Sequence, residues 1–317
     1  MHVHGWAKAL SPAIAKPIAA SRLPAAYTIH EYFLFCPNGG FYNYKKSAAC
    51  HLEPLSAACW LSDCDQRNYG RKLWRNARLS MAKSYAHLPE VFSDFIAISD
   101  FQRDVVAKFV PKSARLHRLS NPVSIENLGP KPDPSAGEVI FVGRLSPEKG
   151  TFLFAEAAQK TGLVPVFVGD GPVAAELSAR FPQARILGWQ SGEAVGKIMR
   201  AARALVFPSL WYEGQPLTVL EAKALGVPVV VADTCAGRDE VEDGVSGLWF
   251  KGGDAEDLAR ALTRLQDDAL VARLSAAAYA QYWADPRTPE RHIAGLLSIY
   301  RSMITTGAAP VEARQAS

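Results

Sequence analysis

From residue 138 to residue 283, short apolar runs and helical segments alternate strictly, and few folds accept that pattern. The pattern predicts strands at 138–142, 164–168, 185–187, 204–207, 227–232 and 247–250. It predicts helices at 150–160, 172–180, 191–202, 216–225, 254–266 and 268–283. The apolar runs are short and β-rich, as strands buried on both faces are. Strand and helix in turn mean a parallel sheet covered on both faces, an α/β fold whose ligands bind at the carboxyl ends of the strands.

Upstream the order is looser. Residues 1–6 read as a strand, followed by a helix broken by Pro12 and Pro17 and a strand over Ala25–His30. Residues 36–67 form a long irregular excursion holding Cys36, Cys50, Cys59 and Cys64. The spacing has no tight Cys-x-x-Cys pair, so reduced thiols are expected there, with a structural zinc as the alternative. Residues 69–87 read as a helix with Arg71, Lys72, Arg75, Arg78 and Lys83 and no acid. Trp74, Ala77, Met81 and Tyr85 make its expected apolar stripe. A strand at 94–99, a helix at 100–109 and an extended run at 116–123 follow. Three prolines and two glycines between Gly129 and Gly137 mark a linker. The expected domains are therefore 1–128, the linker 129–137, 138–285, and a C-terminal helix with a frayed tail over 286–317.

At 317 residues and 49% hydrophobic, the chain has material for two cores. Its net charge of +4 does not call for nucleic acid. No apolar run approaches the ~18 residues of a membrane span, and the N-terminus lacks the apolar core of a signal peptide. A cytoplasmic protein is expected, with the basic helix as a point of peripheral contact with an anionic membrane surface or an acidic acceptor.

The chemistry concentrates in 204–231, which reads strand, loop, helix, strand. Pro216 suits the first helical position and Gly226 the position past the helix end. Glu213 lies in the loop, and Glu221 lies about 9 Å along the helix with its side chain tilted back towards the loop. The free N–H groups of Leu217 and Thr218 point out of the same end, where an anion is welcome. Two carboxylates flanking an anion cradle suit a ligand with hydroxyls on either side of a phosphate. The loop Gly143–Gly150 adds Arg144 and Lys149 at the same sheet edge, and together they match a diphosphate. Gly169-x-Gly171-x-x-Ala174 resembles a dinucleotide fingerprint only weakly, because it sits in the second βα unit and no acid ends the next strand. Trp189 ends a strand, either as a packing residue or with its main chain against a base. His30 ends a strand of the first domain.

Four segments resemble the retaining nucleotide-sugar glycosyltransferases of family 4, which have the GT-B fold of two Rossmann-like domains facing across a cleft. They are Thr28–Tyr32, Phe141–Gly150, Val168–Pro172, and the Glu213/Glu221 pair. The resemblance implies that Arg144 and Lys149, with Gly143 allowing close approach, hold the donor diphosphate. Gly214 and the amides of Gln215, Leu217 and Thr218 complete the phosphate site. Glu221 binds ribose, Trp189 meets the base, Glu213 faces the donor sugar beside the reacting carbon, and His30 lies near the transferred sugar. It further implies a metal-independent, cofactor-free hexosyl transfer to a glycan or lipid-linked acceptor in envelope or extracellular polysaccharide synthesis. Two departures qualify it. Gln215 stands where the family has an aromatic or aliphatic residue, and the family's first βα units are not seen ahead of His2, so an incomplete N-terminal domain is expected. A truncated, non-catalytic nucleotide-sugar-binding protein is the alternative function, and an NAD-dependent oxidoreductase a third.

Overall fold

The computed structural model describes residues 1–7 and 10–306; the tail expected to fray beyond them lies outside the described residues. The strands are β1 (His2–Val3), β2 (Ala26–Thr28), β3 (Tyr42–Asn43), β4 (Ala48–Ala49), β5 (Asp94–Ala97), β6 (Arg115–Arg118), β7 (Val139–Val142), β8 (Val166–Val168), β9 (Arg185–Ile186), β10 (Ala204–Phe207), β11 (Val229–Ala232) and β12 (Gly247–Phe250). The α-helices are α1 (Ala15–Ser21), α2 (Ala57–Leu61), α3 (Tyr69–Ser80), α4 (Asp100–Val106), α5 (Thr151–Thr161), α6 (Ala174–Arg180), α7 (Gly192–Ala201), α8 (Leu217–Ala224), α9 (Ala255–Arg264), α10 (Asp268–Ala284) and α11 (Pro289–Thr306). The chain divides into two compact units. One holds Met1–Lys45, Cys50–Pro122 and the chain from Arg287; the other holds Lys46–Ala49 and Val123–Pro286.

The second unit follows the alternation closely. Its sheet has the order β12-β11-β10-β7-β8-β9, with every pair parallel. β7, β10 and β11 are buried along their whole length. Val, Ile, Leu and Phe on both faces of these strands meet helices on each side, which explains the lack of polar alternation. Caps set the helix limits: Ser191 accepts from the Ala194 N–H, and Asp267 from those of Ala269 and Leu270. In this order the chain reverses direction between β7 and β10, the switch point where an open α/β sheet leaves a crevice.

The unit boundary departs from the expected linker. Residues 129–137 are fastened to the second unit and do not span between domains. Lys131 Nζ donates to the Ala202 carbonyl at 2.6 Å, and Arg200 reaches the carbonyls of Leu128, Gly129 and Pro130. Val123 already packs with Leu220, Ala224 and Tyr282, so the division falls after Pro122. A proline-rich composition cannot tell a linker from a strap tied down by side chains elsewhere.

The first unit holds a four-stranded parallel sheet of order β1-β2-β5-β6. The C-terminal helix, expected to stand apart after the donor domain, belongs to this unit. Ile299 and Met303 of α11 pack on Ala26 and Ile96. Asp94, fully buried, takes Arg115 at 2.8 Å and His117 at 2.6 Å, and these hydrogen bonds hold its carboxyl below the usual range against the opposing cost of burial. The strand expected over 1–6 shrinks to two residues. Pro17 does not break α1, because it stands in the first turn, where its missing N–H costs nothing.

The basic helix is turned over relative to expectation. The α-helix ends at Ser80 and a π-helical turn, Met81–Tyr85, carries it on. Its buried face is Lys72, Asn76, Leu79 and Ala82, while Trp74 is 48%, Met81 59% and Tyr85 76% exposed. Lys72 is buried because its Nζ donates to Cys59 Sγ at 3.2 Å. Arg71 and Arg78 lie 4.5 and 5.0 Å from the Trp74 ring centre, a cation–π stack that keeps the tryptophan outward. Residues 36–67 are irregular apart from α2 and two short strands. Cys36, Cys59 and Cys64 are buried free thiols, and burial pushes the Cys64 thiol up to about 11. Among the described residues, no group of His, Cys, Asp and Glu is arranged to hold a metal ion.

Candidate functional site

The site lies at the carboxyl ends of β7 and β10, on the switch point of the second sheet. A cavity of about 230 Å³ opens there, lined by Gly143, Lys149, Ser209, Glu213, Gln215, Leu217 and Thr218 over a floor of Phe141, Val142, Phe207 and Pro216. Lys149 Nζ donates to Glu213 Oε1 at 2.7 Å, and Ser209 Oγ donates to the same oxygen at 2.7 Å. Glu213 is 8% exposed, so this is a carboxylate held in place by a cation and a hydroxyl inside a cavity wall. Lys149 also lies 5.4 Å from the centre of the Trp211 ring.

The local chain explains the positions. Gly143, at φ +150°, ends β7, and its N–H donates to the Val168 carbonyl at 3.0 Å. A 3₁₀ turn, Pro147–Lys149, then closes on Gly150, whose φ of +70° starts α5. That turn sets Lys149 under the β10–α8 loop. α8 begins after Pro216 without a side-chain cap, so its first N–H groups face the cavity that Leu217 and Thr218 line. These amides and Lys149 are two positive features aimed at one small space, as an anion site requires.

Three further candidates stand beside the cavity but not in its lining. Arg144 is exposed on the β7 loop and makes no hydrogen bond or ion pair among the described residues, so it does not pair with Glu148. Glu148 is instead buried, with Oε1 accepting from Ser146 Oγ at 2.8 Å. Glu221, on the second turn of α8, makes no side-chain hydrogen bond among the described residues, and burial holds its carboxyl above the usual range. A half-buried carboxyl with no hydrogen-bond donor among the described residues is costly and suits a ligand with hydroxyl donors. Gly214 sits in the loop between Glu213 and Gln215. Trp189 stands apart: it follows the edge strand β9 and its side chain is 79% exposed, so it is not a packing residue. His30, in the first unit, is an exposed residue just past β2.

Ser209 and Trp211 were not legible as site residues in the sequence. The available signal was position, since both follow β10 directly at its carboxyl end. Glu148 Oε2, Thr151 Oγ1 and Trp211 Nε1 are buried without a hydrogen-bond partner, and all three border Lys149 or Glu213 in sequence.

Residues 130–281 match the family model described as glycosyl transferases group 1. The matched residues lie within the second unit. Similar curated proteins include the UDP-Gal:alpha-D-GlcNAc-diphosphoundecaprenol alpha-1,3-galactosyltransferase of Escherichia coli, 32% identical over 145 residues, covering 41% of this chain and 37% of that protein. The GDP-mannose-dependent alpha-mannosyltransferase of Corynebacterium glutamicum is 33% identical over 233 residues, covering 72% of this chain and 52% of that protein. The chain thus spans between about one third and one half of the curated relatives it matches. Among solved structures, HepE of Anabaena in complex with UDP aligns with a TM-score of 0.66 at 17% identity, over 92% of this chain and 76% of that one. Sucrose-phosphate synthase of Thermosynechococcus elongatus aligns with a TM-score of 0.66 at 18% identity, over 89% and 68%. At that identity the likeness shows the fold, an α/β GT-B-like glycosyltransferase fold. The matched residues include those that line the cavity, and the dinucleotide-fingerprint glycines play another part. Gly169 and Gly171 lie so close to the Gly143 and Leu145 carbonyls that a Cβ on either would come within 2.0 and 2.1 Å of oxygen, which makes them packing glycines.

Proposed function

We propose that this chain is a retaining glycosyltransferase that moves a hexosyl group from a nucleotide-diphosphate sugar to a glycan or lipid-linked acceptor in envelope or extracellular polysaccharide synthesis. The observation that carries the proposal is the Lys149–Glu213 pair at 2.7 Å beside the uncapped start of α8. In this reading Lys149, Arg144, Gly143, Gly214 and the N–H groups of Gln215, Leu217 and Thr218 receive the diphosphate. Glu221 takes the ribose hydroxyls, the Trp189 main chain meets the base, and Glu213 faces the donor sugar. His30 of the first unit is assigned to the transferred sugar. The leaving phosphate takes the acceptor's proton on the face where the new bond forms, and Arg144, Lys149 and the helix start offset its growing charge, so no metal is assigned to the step. Two relatives are named for alpha products, from UDP-Gal and from GDP-mannose, and transfer with retention from an alpha-linked donor gives an alpha product.

The donor assignment is tested by thermal unfolding with a panel of nucleotide sugars. At about 100 times Kd, a ligand that binds only the folded state adds ~2.7 kcal/mol. That corresponds to a rise in Tm of roughly 5–10 °C for a unit of this size. Glu221→Ala is expected to remove the rise for the cognate donor. A panel in which no nucleotide sugar shifts Tm overturns the proposal. Protection without turnover on any acceptor supports the binding-protein alternative.

The exposed face of α3 supports a reading in which the acceptor lies at a bilayer. No Asp or Glu occurs from residue 66 to residue 89, and the outward Trp74, Met81 and Tyr85 are flanked by Arg71 and Arg78. Aromatic rings with a cationic rim match an anionic lipid surface. Among the described residues, no helix is long and apolar enough to cross a membrane. The chain is expected to float with phosphatidylglycerol vesicles and not with phosphatidylcholine ones, and the triple change Trp74→Ser, Met81→Ser, Tyr85→Ser to abolish flotation. Equal flotation of the triple variant, or self-association through this face in its place, rules the contact out.

A further inference from the structure

The first unit carries a ladder of histidines built by strand periodicity. His2 and His4 share one face of the first strand and its continuation, and Thr28 and His30 share the same face of the next. The parallel register sets His2 level with Ala26 and so brings His4 level with Thr28. His2 is anchored at both nitrogens, Nε2 at 2.7 Å from Thr28 Oγ1 and Nδ1 at 2.6 Å from the Tyr300 hydroxyl. Its ring lies 4.1 Å from that of His4, which in turn stacks on His30 at 5.3 Å with an interplanar angle of 20°. His4 Nδ1 is 3.0 Å from His30 Nε2.

We propose that His4 is a positioning residue for His30: the hydrogen bond between their rings fixes the orientation of His30 and ties its protonation to that of His4. This rests on the reading that His30 acts on the transferred sugar. A hydrogen bond between two neutral imidazoles has one donor and one acceptor, so the two tautomers are coupled: where His4 Nδ1–H donates, His30 carries its proton on Nδ1, and where His30 Nε2–H donates, His30 Nδ1 is left as an acceptor. If both rings are protonated, the acceptor is lost and the pair opens.

The surroundings favour neutral rings. Burial lowers the pKa of both His4 and His30; His292 adds to this for both, and His4 adds to it for His30. His2 is lowered to about 4, first by burial, then by His4, His30, the terminal amine and His292. The carboxylate on this side, Glu31, is engaged elsewhere, accepting from the Phe33 N–H and the Tyr27 hydroxyl. Tyr300 completes the set and is bound to His2.

The test reads the His30 ring by ¹⁵N imidazole NMR across pH in the parent, His4→Ala and His4→Asn, beside nucleoside-diphosphate release from the cognate donor. The parent is expected to show the ¹⁵N shift of a hydrogen-bonded His30 Nε2, with a midpoint below the ordinary 6.5. His4→Ala should lose that hydrogen-bonded shift, raise the midpoint and lower kcat by about tenfold with KM unchanged. His4→Asn, which keeps a short hydrogen-bonding side chain, should recover part of both. His4 is exposed, so neither change threatens folding. An unaltered Nε2 shift and midpoint in His4→Ala overturn the inference. If His30→Ala keeps parental turnover, the role of His30 in transfer falls, and the NMR result still decides whether His4 positions it.

Discussion

Glu213→Gln is expected to lower turnover by about 10²–10³-fold, the loss typical of removing one pre-aligned electrostatic group from an active site. The change keeps shape and removes charge. Glu213 is held by Lys149 and Ser209, each at 2.7 Å, and is almost wholly buried, so its orientation is set before any donor arrives. Loss of the charge also leaves Lys149 without its carboxylate partner and frees its ammonium for the diphosphate. The KM for donor should therefore stay level or fall while kcat drops. Steady-state release of nucleoside diphosphate from the cognate donor measures both. A kcat within tenfold of the parent would remove Glu213 from the chemistry and leave it as the anchor of Lys149. Lys149→Ala separates these roles, since it should raise the donor KM.

Gly150→Ala is the substitution with the largest expected cost in stability. Gly150 has a φ of +70°, and a Cβ there would lie 2.0 Å from the Pro208 carbonyl oxygen. Backbone cannot yield as a side-chain tip can, so the strand-end segment of β10 must move away from the β7 loop. Gly162→Ala is the control: its φ is +71°, but nothing lies within 4 Å of its Cβ position. The control should lose about 1 kcal/mol, the cost of a left-handed non-glycine residue. Gly150→Ala should lose about 3–4 kcal/mol, and its Tm should fall by roughly 6–16 °C. Scanning calorimetry on the three proteins checks the pair. Equal losses would mean that the contact with Pro208 relaxes freely. Because Pro208 precedes Ser209, the stable Gly162 variant should also keep donor binding where the Gly150 variant loses it.

How much of this was legible beforehand differs between the two units. The strands of the second unit were readable to within about two residues because the central ones are buried on both faces and so carry no competing pattern. The grouping of Lys149 with Glu213 was readable too, since strict alternation brings every βα loop to one edge of a parallel sheet. In the first unit α3 was read with its faces exchanged. Periodicity marks which residues share a face, but it cannot say whether that face meets protein. Cys59 gave Lys72 a buried partner, and two arginines held Trp74 outward. Both partners lie outside the helix's hydrophobic period.

The sequence by itself determined the α/β class, the parallel sheet of the second unit and the residue types at its carboxyl edge, because local periodicity and turn chemistry suffice for these. The tertiary structure alone decided that Glu213 is buried and bound to Lys149 while Glu221 makes no side-chain hydrogen bond among the described residues, that residues 129–137 are a strap, and that α11 completes the first unit. It also built the ladder from His2 to His30. Each of these depends on contacts between residues far apart in the chain. Whether a charged group in such a contact is paired or left without a partner is set by a neighbour that no local pattern names.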